Sequence, residues 1–397
     1  MSTVLILMSN TGGGHRSVAQ ALAGALKHLN GNDVDVVIAD PFAIGRRNVV
    51  DRLTYLYSPL IVHYPWLWGV VYHLTDHKPI FRSLVRLGDR MMAFKMSHLF
   101  ASVQPGVVVS VHPLCNHLAS LTIQRLGWSV PIMTVLTDLV SIHTGWIVTD
   151  LDLYSVPTAE AARALSERGI SSAKLRVFGL PIDQRFGCLH ASKEQSRRSL
   201  GLEENHFTVL VVGGSEGAGN LFANVKALAE AQTELQVMVV CGHNERLKSK
   251  LKWSLPNLPG QVYGFVHNMP ELMNAADVVV TKAGSVTIAE ALAMQRPIVL
   301  TDVLPGQEEG NVAFVERNGV GMRAKSPGDL VEKVTLLAKN PAWHECLSSN
   351  TQKIGKPEAA VDTAKAVIAL MPGGGHLEAL GRTTRQPSSI SPQPSAG

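Results

Sequence analysis

Residues 279–311, VVTKAGSVTIAEALAMQRPIVLTDVLPGQEEGN, decide the fold class of this chain. A strand-like run at 276–280 ends in a turn of small residues at 282–285, and a helix carrying Glu290 follows. A second apolar run then leads to a polar loop at 305–311. This order is half of an α/β unit, in which ligands bind at strand carboxyl ends and helix N-termini. Acids, an amide and a glycine-rich turn at one edge indicate a polyhydroxylated ligand that also carries phosphate.

The same alternation of strand, turn and helix recurs along the chain in two series. The first series predicts strands at 4–8, 34–39, 107–111, 132–137 and 153–156, and the second at 208–212, 235–240, 262–266, 278–280 and 298–300. Helices are predicted at about 15–29, 49–74, 80–102, 191–201, 269–274 and 358–370. The strands at 107–111, 132–137 and 153–156 have a continuous β-branched character, which is typical of parallel sheets covered on both faces.

The pattern loosens near residues 180–205, which predicts two doubly wound, Rossmann-like α/β domains that face one cleft. We expect an N-terminal domain at 1–180, a linker at 181–204 and a C-terminal domain at 205–355. A C-terminal helix is predicted at 356–371. Gly, Ser, Pro, Gln and Arg dominate 372–397, which predicts a disordered tail.

Composition indicates an ordinary globular chain of 397 residues, with 46% hydrophobic residues, a mean hydropathy of +0.12 and a net charge of +4. Its four cysteines form no CxxC pair, so a disulfide framework or a zinc ribbon is not expected and a reducing cytosol fits. The first residues lack the basic segment of a signal peptide. No stretch predicts a clean transmembrane helix.

Basic and aromatic residues concentrate in residues 46–95. This segment has eight Lys and Arg against three Asp, an excess greater than the net charge of +4 of the whole chain. Its tyrosines and tryptophans are Tyr55, Tyr57, Tyr64, Trp66, Trp68 and Tyr72. Such a mixture stacks on nucleic acid or anchors at a bilayer interface. Because no RNA-binding motif accompanies it, membrane contact is favoured over nucleic acid; the alternative is a core-facing aromatic stripe.

Two glycine-rich loops follow the first strand of each series. TGGGH at 11–15 opens a helix, where glycines let a ligand approach the backbone and exposed N–H groups suit an anion. It lacks the third glycine of a Rossmann fingerprint and the lysine of a P-loop, so a tight turn capped by His15 is the alternative. VGGSEGAGN at 212–220 is a second glycine-rich turn between a strand and a helix, and it could cradle a diphosphate.

Acidic residues also cluster in the middle of the first domain. Asp138 directly follows a predicted strand, and we expect it to face the cleft; the alternative is a structural acid bonded to nearby N–H groups. Asp150 and Asp152 form a DxD pair, the metal-binding motif of one class of glycosyltransferases. Because Asp152 begins a buried strand, we expect this pair to cap a strand end instead.

Together these motifs resemble the monogalactosyldiacylglycerol synthases and processive diacylglycerol glucosyltransferases, relatives of the peptidoglycan N-acetylglucosaminyltransferase. The resemblance rests on GGGH, VGGSEGAGN, the TD…H..W…D pattern, GFVHNMPELMNAADVVVTKAGSVTIAEAL and PGQEEGN, and it covers about residues 3–370. It implies the GT-B fold, an inverting transfer without a cofactor or an essential metal, a UDP-sugar in the C-terminal domain and a lipid acceptor in the N-terminal one.

The resemblance also implies roles for individual residues. Those expected to bind the donor are Gly264, Phe265 and Val266 at the uracil, Glu290 at the ribose, Gly214, Ser215, Glu216, Gly217, Gly284 and Ser285 at the diphosphate, and Gln307 and Glu308 at the sugar, with Asn311 nearby. The catalytic candidates are His15 and Asp138; either could be the general base or orient the other. Those expected at the acceptor or the membrane are Gly13, Gly14, Tyr64, Trp66, Trp68, His143 and Trp146.

The predicted function is transfer of a hexose from UDP-galactose or UDP-glucose to 1,2-diacylglycerol at an anionic membrane surface. Two alternatives stay open: an enzyme resembling UDP-N-acetylglucosamine 2-epimerase, and a catalytically silent UDP-sugar-binding protein. Plant relatives carry a plastid-targeting leader and this sequence shows none, which predicts a bacterial-type peripheral protein at the cytoplasmic face of the cell membrane.

Overall fold

The computed structural model describes residues 2–10, 13–31, 33–43, 64–215, 217, 219–231 and 234–372. The predicted tail after residue 372 lies outside this range, as does the beginning of the helix expected at 49–74. Tyr55, Tyr57 and Glu216 also lie outside the described residues.

The first domain is built on a parallel sheet of six strands in the order β2-β1-β3-β4-β5-β6. The strands are β1 Ser2–Leu7, β2 Val34–Ala39, β3 Val107–Ser110, β4 Ile132–Val135, β5 Leu153–Val156 and β6 Leu175–Val177. The helices described in this domain are α1 Gly13–Asn30, α2 Pro65–Thr75, α3 Lys78–Val103, α4 Pro113–Leu126 and α5 Ala159–Glu167. The strand order reverses between β1 and β3, so the loops that follow these two strands share one crevice.

Helices cover both faces of this sheet, which explains why its strands are mostly apolar. In β1, Val4 and Ile6 pack into the cluster that contains α1. Leu5 points to the opposite face, into a cluster with Met96 and Phe100 of α3. Successive strand residues thus serve two separate cores, and the few buried polar strand residues, such as Thr134 and Ser155, form hydrogen bonds.

The second domain repeats the design with a parallel sheet in the order β12-β11-β10-β7-β8-β9. Its strands are β7 Phe207–Val212, β8 Leu235–Val240, β9 Gly260–Tyr263, β10 Val278–Thr281, β11 Ile298–Leu300 and β12 Gly321–Arg323. Its helices, with the one that precedes it, are α6 Lys193–Ser199, α7 Leu221–Glu230, α8 Glu245–Ser254, α9 Met269–Ala275, α10 Ser285–Ala293, α11 Glu309–Arg317, α12 Pro327–Lys339 and α13 Pro341–Ile354. Here the order reverses between β7 and β10.

The structure differs from the sequence prediction at three strands. The strand expected at 262–266 is β9, Gly260–Tyr263, so Phe265 lies beyond its end instead of inside it. The strands β6 and β12 were not predicted, because each has only three residues and lies at a sheet edge. Three residues are too few to show a period of two.

The last helix, α14 Ala359–Leu370, returns to the first domain. Ala360, Ala364 and Val367 are fully buried and belong to the same apolar cluster as Val18 of α1. Beside them the hydroxyls of Ser155 and Thr363 form a buried hydrogen bond of 3.1 Å. The chain therefore crosses between the domains twice, and the second domain is held at both of its ends.

The carboxyl ends of the two sheets face each other across a cleft. At Gly13, an added Cβ would lie only 2.6 Å from Oγ of Ser215, so the first glycine loops of the two domains nearly touch. At Gly310, an added Cβ would lie 2.4 Å from Oγ of Ser141. None of the described helices is long and apolar enough to cross a bilayer.

Candidate functional site

His15 lies in the first turn of α1, at the crevice between β1 and β3. Its Nδ1 is 2.6 Å from the carbonyl oxygen of Val111 and 3.3 Å from Oγ1 of Thr137. Because a carbonyl only accepts, Nδ1 carries the proton and donates it, which leaves the lone pair on Nε2. The imidazole is thus fixed in the tautomer that accepts a proton at Nε2.

The charge state of His15 is set mainly by burial. Burial lowers its pKa to about 4, although the bond to Val111 acts in the opposite direction. The ring of His112 packs edge-on at 4.9 Å between ring centroids, and burial together with His15 lowers the pKa of His112 well below its usual value. At neutral pH both rings are therefore uncharged.

Asp138 occupies the same edge, three residues after the end of β4 at Val135. Its Oδ2 accepts a 2.7 Å hydrogen bond from Nε1 of Trp146, and its Oδ1 lies 3.5 Å from Nε2 of Gln307. Burial raises its pKa to about 6, Glu308 contributes in the same direction, and the two hydrogen bonds limit the rise. Through Gln307, the polar loop of the second domain contacts Asp138 across the cleft.

Trp146 and His143 do not face the surface. Trp146 is only 1% exposed and holds Asp138 through its indole N–H. His143 is also buried; its Nδ1 accepts from the N–H of Gly145, and its Nε2 lies 3.2 Å from Oγ1 of Thr75. The expectation of membrane contact is therefore wrong for these two side chains, while a role at the acceptor stays a prediction.

The DxD pair is divided between two ordinary structural roles. Asp152 accepts a 2.7 Å hydrogen bond from the N–H of Ile132 at the start of β4, as expected for a residue that caps a strand end. Asp150 is exposed and accepts from Gln124 of α4. Within the described part of the chain, no three His, Cys, Asp or Glu side chains group as metal ligands do.

The two glycine loops of the second domain flank the point where its strand order reverses, since one follows β7 and the other follows β10. Gly214 and Gly217 have φ of +69° and +57°, in the left-handed region. A Cβ at Gly217 would lie 2.4 Å from the carbonyl oxygen of Cys241. Only glycine fits there, and the exposed backbone can approach a ligand closely. Gly284 and Ser285 begin α10 on the other side of the switch point.

Glu290 lies in the second turn of α10 and is half-buried. No described residue donates a hydrogen bond to its carboxylate, and burial, aided by the nearby Asp183, raises its pKa to about 8. An acid left in this state needs hydrogen-bond donors from a ligand in order to ionise. A pair of vicinal hydroxyls would supply them.

Phe265 presents an aromatic face beside the same cleft. It is 49% exposed and stacks on His243 at a centroid distance of 4.3 Å and an interplanar angle of 10°. A Cβ at Gly264 would lie 2.7 Å from Oε1 of Glu245, the end of an exposed and flexible side chain. The segment expected at the uracil, with Val266 next along the chain, is thus a loop with an exposed ring.

The polar loop before α11 is organised by Glu308. Its Oε1 pairs with Nζ of Lys282 at 2.5 Å, and its Oε2 accepts from the N–H of Leu304 at 3.0 Å. Nδ2 of Asn311 donates to the carbonyl oxygen of Ala283, whereas its Oδ1 is buried without a partner among the described residues. The loop is therefore tied to the turn after β10, and Lys282 is a site residue that the sequence analysis treated only as part of a turn.

Helix α2 contacts the loop before α11 with one face and is exposed on the other. Tyr64 and Trp66 are 56% and 65% exposed, Trp68 is half-buried, and Tyr72 is buried, so the aromatic residues divide between surface and interior. On the inner face of α2, Gly69 leaves room for Pro305.

Comparison with known proteins identifies the family. The family model for monogalactosyldiacylglycerol synthase matches residues 15–182, and that for the glycosyltransferase family 28 C-terminal domain matches residues 208–362. Monogalactosyldiacylglycerol synthase 1, chloroplastic, of Arabidopsis thaliana is 35% identical over 367 residues, which are 90% of this chain and 68% of the relative. The chain belongs to the monogalactosyldiacylglycerol synthase family. It is therefore a glycosyltransferase.

Solved structures confirm the GT-B fold. The S. aureus MnaA–UDP structure matches with a TM-score of 0.61 and 13% identity, covering 93% of this chain and 96% of that one. MurG of Acinetobacter baumannii matches with a TM-score of 0.60 and 16% identity, covering 92% of this chain and 99% of that one. At such identities the likeness shows the fold alone, which includes the two domains and the cleft described above.

Proposed function

We propose that this member of the monogalactosyldiacylglycerol synthase family transfers a hexose, galactose or glucose, from its UDP-sugar to 1,2-diacylglycerol, with inversion and without an essential metal ion. The observation that carries the proposal is the contact between Gln307 and Asp138, whose polar atoms are 3.5 Å apart across the cleft. It places the loop expected to hold the sugar beside the residues expected to accept the proton. In this proposal the groups that bind the donor sugar and those that activate the acceptor hydroxyl are therefore adjacent in the cleft.

The donor side fits a nucleoside diphosphate. Glycine loops flank the switch point of the second sheet, and N–H groups at the start of α10 suit a diphosphate. Glu290, whose pKa is raised and which has no hydrogen-bond donor among the described residues, fits ribose hydroxyls. Phe265 offers an exposed ring for a base. These features support a UDP-sugar in the second domain.

The transfer is a single displacement. The acceptor hydroxyl oxygen attacks the anomeric carbon from the face opposite UDP, and the bond from that carbon to the β-phosphate oxygen breaks with its electron pair on UDP. The hydroxyl proton passes to Nε2 of His15, whose tautomer is fixed by Val111. Attack from the opposite face inverts the configuration.

His15 is favoured as the base because both carboxylate oxygens of Asp138 already face hydrogen-bond donors. In this assignment Asp138 orients the loop that carries Gln307. Replacing a general base lowers turnover by about 10²- to 10⁴-fold. We expect His15→Ala to lose kcat in this range while UDP affinity is kept, and His28→Ala, on an exposed position of the same helix, to behave as wild type. A near-normal kcat for His15→Ala would show that His15 is not the general base.

The decisive experiment is incubation of the protein with diacylglycerol vesicles and either UDP-galactose or UDP-glucose, in the presence and absence of a chelator. We expect mass analysis to show a monohexosyl lipid with one donor, NMR to show an inverted anomeric linkage, and the chelator to have no effect. A changed sugar nucleotide without a lipid product would indicate an epimerase. If the UDP-sugar is left unchanged with every acceptor tested, the protein binds the sugar nucleotide without catalysing a reaction.

A further inference from the structure

Lys282 lies where the parts of the proposed donor site converge. Its side chain leaves the turn after β10 and is about one third exposed, at 34%, while Glu308 is 9% exposed. An added Cβ on Gly284 would lie 3.3 Å from Nζ of Lys282, and one on Gly214 would lie 3.8 Å from its Cε. The ammonium group is thus adjacent to both glycine loops.

The surroundings of Lys282 differ from those of a structural ion pair. In the second domain, Arg197 and Asp277 are buried together, and backbone groups saturate both: Arg197 donates to Ala275 and Glu204, and Asp277 accepts from Thr208. Among the described residues, Lys282 pairs with Glu308 alone. An ammonium group donates three hydrogen bonds, so two remain for a ligand at the glycine loops.

We propose that Lys282 is the cation that neutralises the diphosphate of the donor, and that Glu308 forms an ion pair with Lys282 when no donor is bound. This inference rests on the proposed function and deepens it. Arrival of the diphosphate draws the ammonium group toward the loops at Gly214 and Gly284. The carboxylate of Glu308 is then released toward the hydroxyls of the sugar.

The same placement serves the bond-breaking step. When the bond between the anomeric carbon and the β-phosphate oxygen breaks, its electron pair stays on UDP and adds one negative charge there. A preorganised cation within hydrogen-bond reach stabilises charge that develops in the transition state. Lys282 thereby contributes to kcat as well as to donor binding.

The test compares the affinities of UDP and uridine by calorimetry, because uridine lacks the diphosphate. For Lys282→Gln we expect UDP affinity to fall by about 10- to 100-fold, as for a lost charge-assisted hydrogen bond, and uridine affinity to stay unchanged. The unchanged uridine affinity also shows that the variant is folded. Lys333→Gln is the matched control, since Lys333 forms a partly exposed ion pair with Asp329 on α12; it should keep both affinities.

Glu308→Gln provides the second measurement. If Glu308 competes with the diphosphate, this variant binds UDP more tightly than wild type, although it loses turnover. Equal losses of UDP and uridine affinity in Lys282→Gln, or no loss of either, would overturn the role of Lys282. Weaker UDP binding by Glu308→Gln would overturn the competition. A wild-type protein that binds UDP no better than uridine would contradict the proposed donor site itself.

Discussion

At the scale of residues, burial shifts the site's two catalytic candidates in opposite directions. The pKa of His15 is lowered to about 4 and that of Asp138 is raised to about 6. Asp138 is thus the group that titrates nearer to neutrality in the free protein. Its carboxylate form accepts the hydrogen bonds from Trp146 and Gln307, and protonation weakens both.

We therefore expect kcat at saturating donor to fall as the pH drops through about 6, because Asp138 gains a proton there while the bound donor keeps Glu290 ionised. In Asp138→Asn this limb should disappear, and the remaining activity should fall only near pH 4, where His15 is protonated. The pH profiles of kcat at saturating donor for the two proteins check this. An acid limb left at its original pH in the variant would show that another group controls it.

Glu290 gives a prediction that needs no turnover. Its pKa of about 8 means that it is mostly protonated in the empty site at pH 7. Ribose hydroxyls that donate to the carboxylate favour its ionised form and lower its pKa, so UDP binding should release close to one proton. Calorimetry in two buffers of different ionisation enthalpy measures this release. Glu290→Gln should abolish it, and an equal release by that variant would assign the proton elsewhere.

Residue types and spacing were enough to select His15, Asp138 and Glu290, because a polar residue directly after an apolar strand, or on the next helix, must lie at the sheet edge. The structure brings these residues to the cleft, while their roles stay predictions. The role of Lys282 depends on Glu308, which lies 26 residues further along the chain. Trp146 lies only 8 residues from Asp138, but whether its indole N–H donates to that carboxylate depends on how the segment between them folds. Residue spacing alone does not specify such pairs.

At the scale of elements, α2 has two different faces. Its outer face exposes Trp66, Val70 and Leu74, whereas its inner face meets the loop before α11. At Gly306, an added Cβ would lie 2.6 Å from Cδ1 of Tyr72. A helix on the surface of the first domain thus supports the loop that carries Gln307 in the second.

This contact predicts the effect of a methyl group on α2. A Cβ at Gly69 would lie 2.8 Å from Cβ of Pro305, so Gly69→Ala must displace the loop. We expect a several-fold higher KM for the donor and a lower kcat, with vesicle binding unchanged. The control is Gly88→Ala on α3, where the added Cβ meets nothing within 4 Å. That change should leave kinetics alone and stabilise the fold by about 0.5–1 kcal/mol; matching kinetics in both variants would contradict the contact.

At the scale of the whole molecule, the sequence predicted two doubly wound domains because strand and helix periods alternate in two series. It predicted the helix α14 as well, but not that this helix packs on α1. The pattern of apolar residues in α14 does not indicate which of the two domains its buried face contacts. Only the three-dimensional arrangement shows that α14, which follows the second domain, packs on the first helix of the first domain.

The pair of helices α2 and α3 forms an apolar surface on the first domain. Its exposed side chains are Trp66, Leu67, Val70, Leu74, Ile80, Leu84, Leu87, Met91 and Phe94. The exposed Arg82, Arg86 and Arg90 follow one another every four residues along α3, beside the apolar row. An apolar stripe flanked by arginines suits the interface of an anionic bilayer. We propose that this surface holds the protein as a peripheral enzyme at the cytoplasmic face of the cell membrane, where diacylglycerol can enter the cleft.

Vesicle flotation tests that surface. We expect the protein to float with anionic vesicles at low salt and less at high salt, because the Arg row is screened. Trp66→Ser combined with Phe94→Ser should abolish flotation while UDP affinity is kept. Trp253→Ser is the matched control, because Trp253 is 85% exposed on α8 of the second domain. If the control loses flotation and the double variant keeps it, the membrane contacts the second domain, and the acceptor must reach His15 from that side.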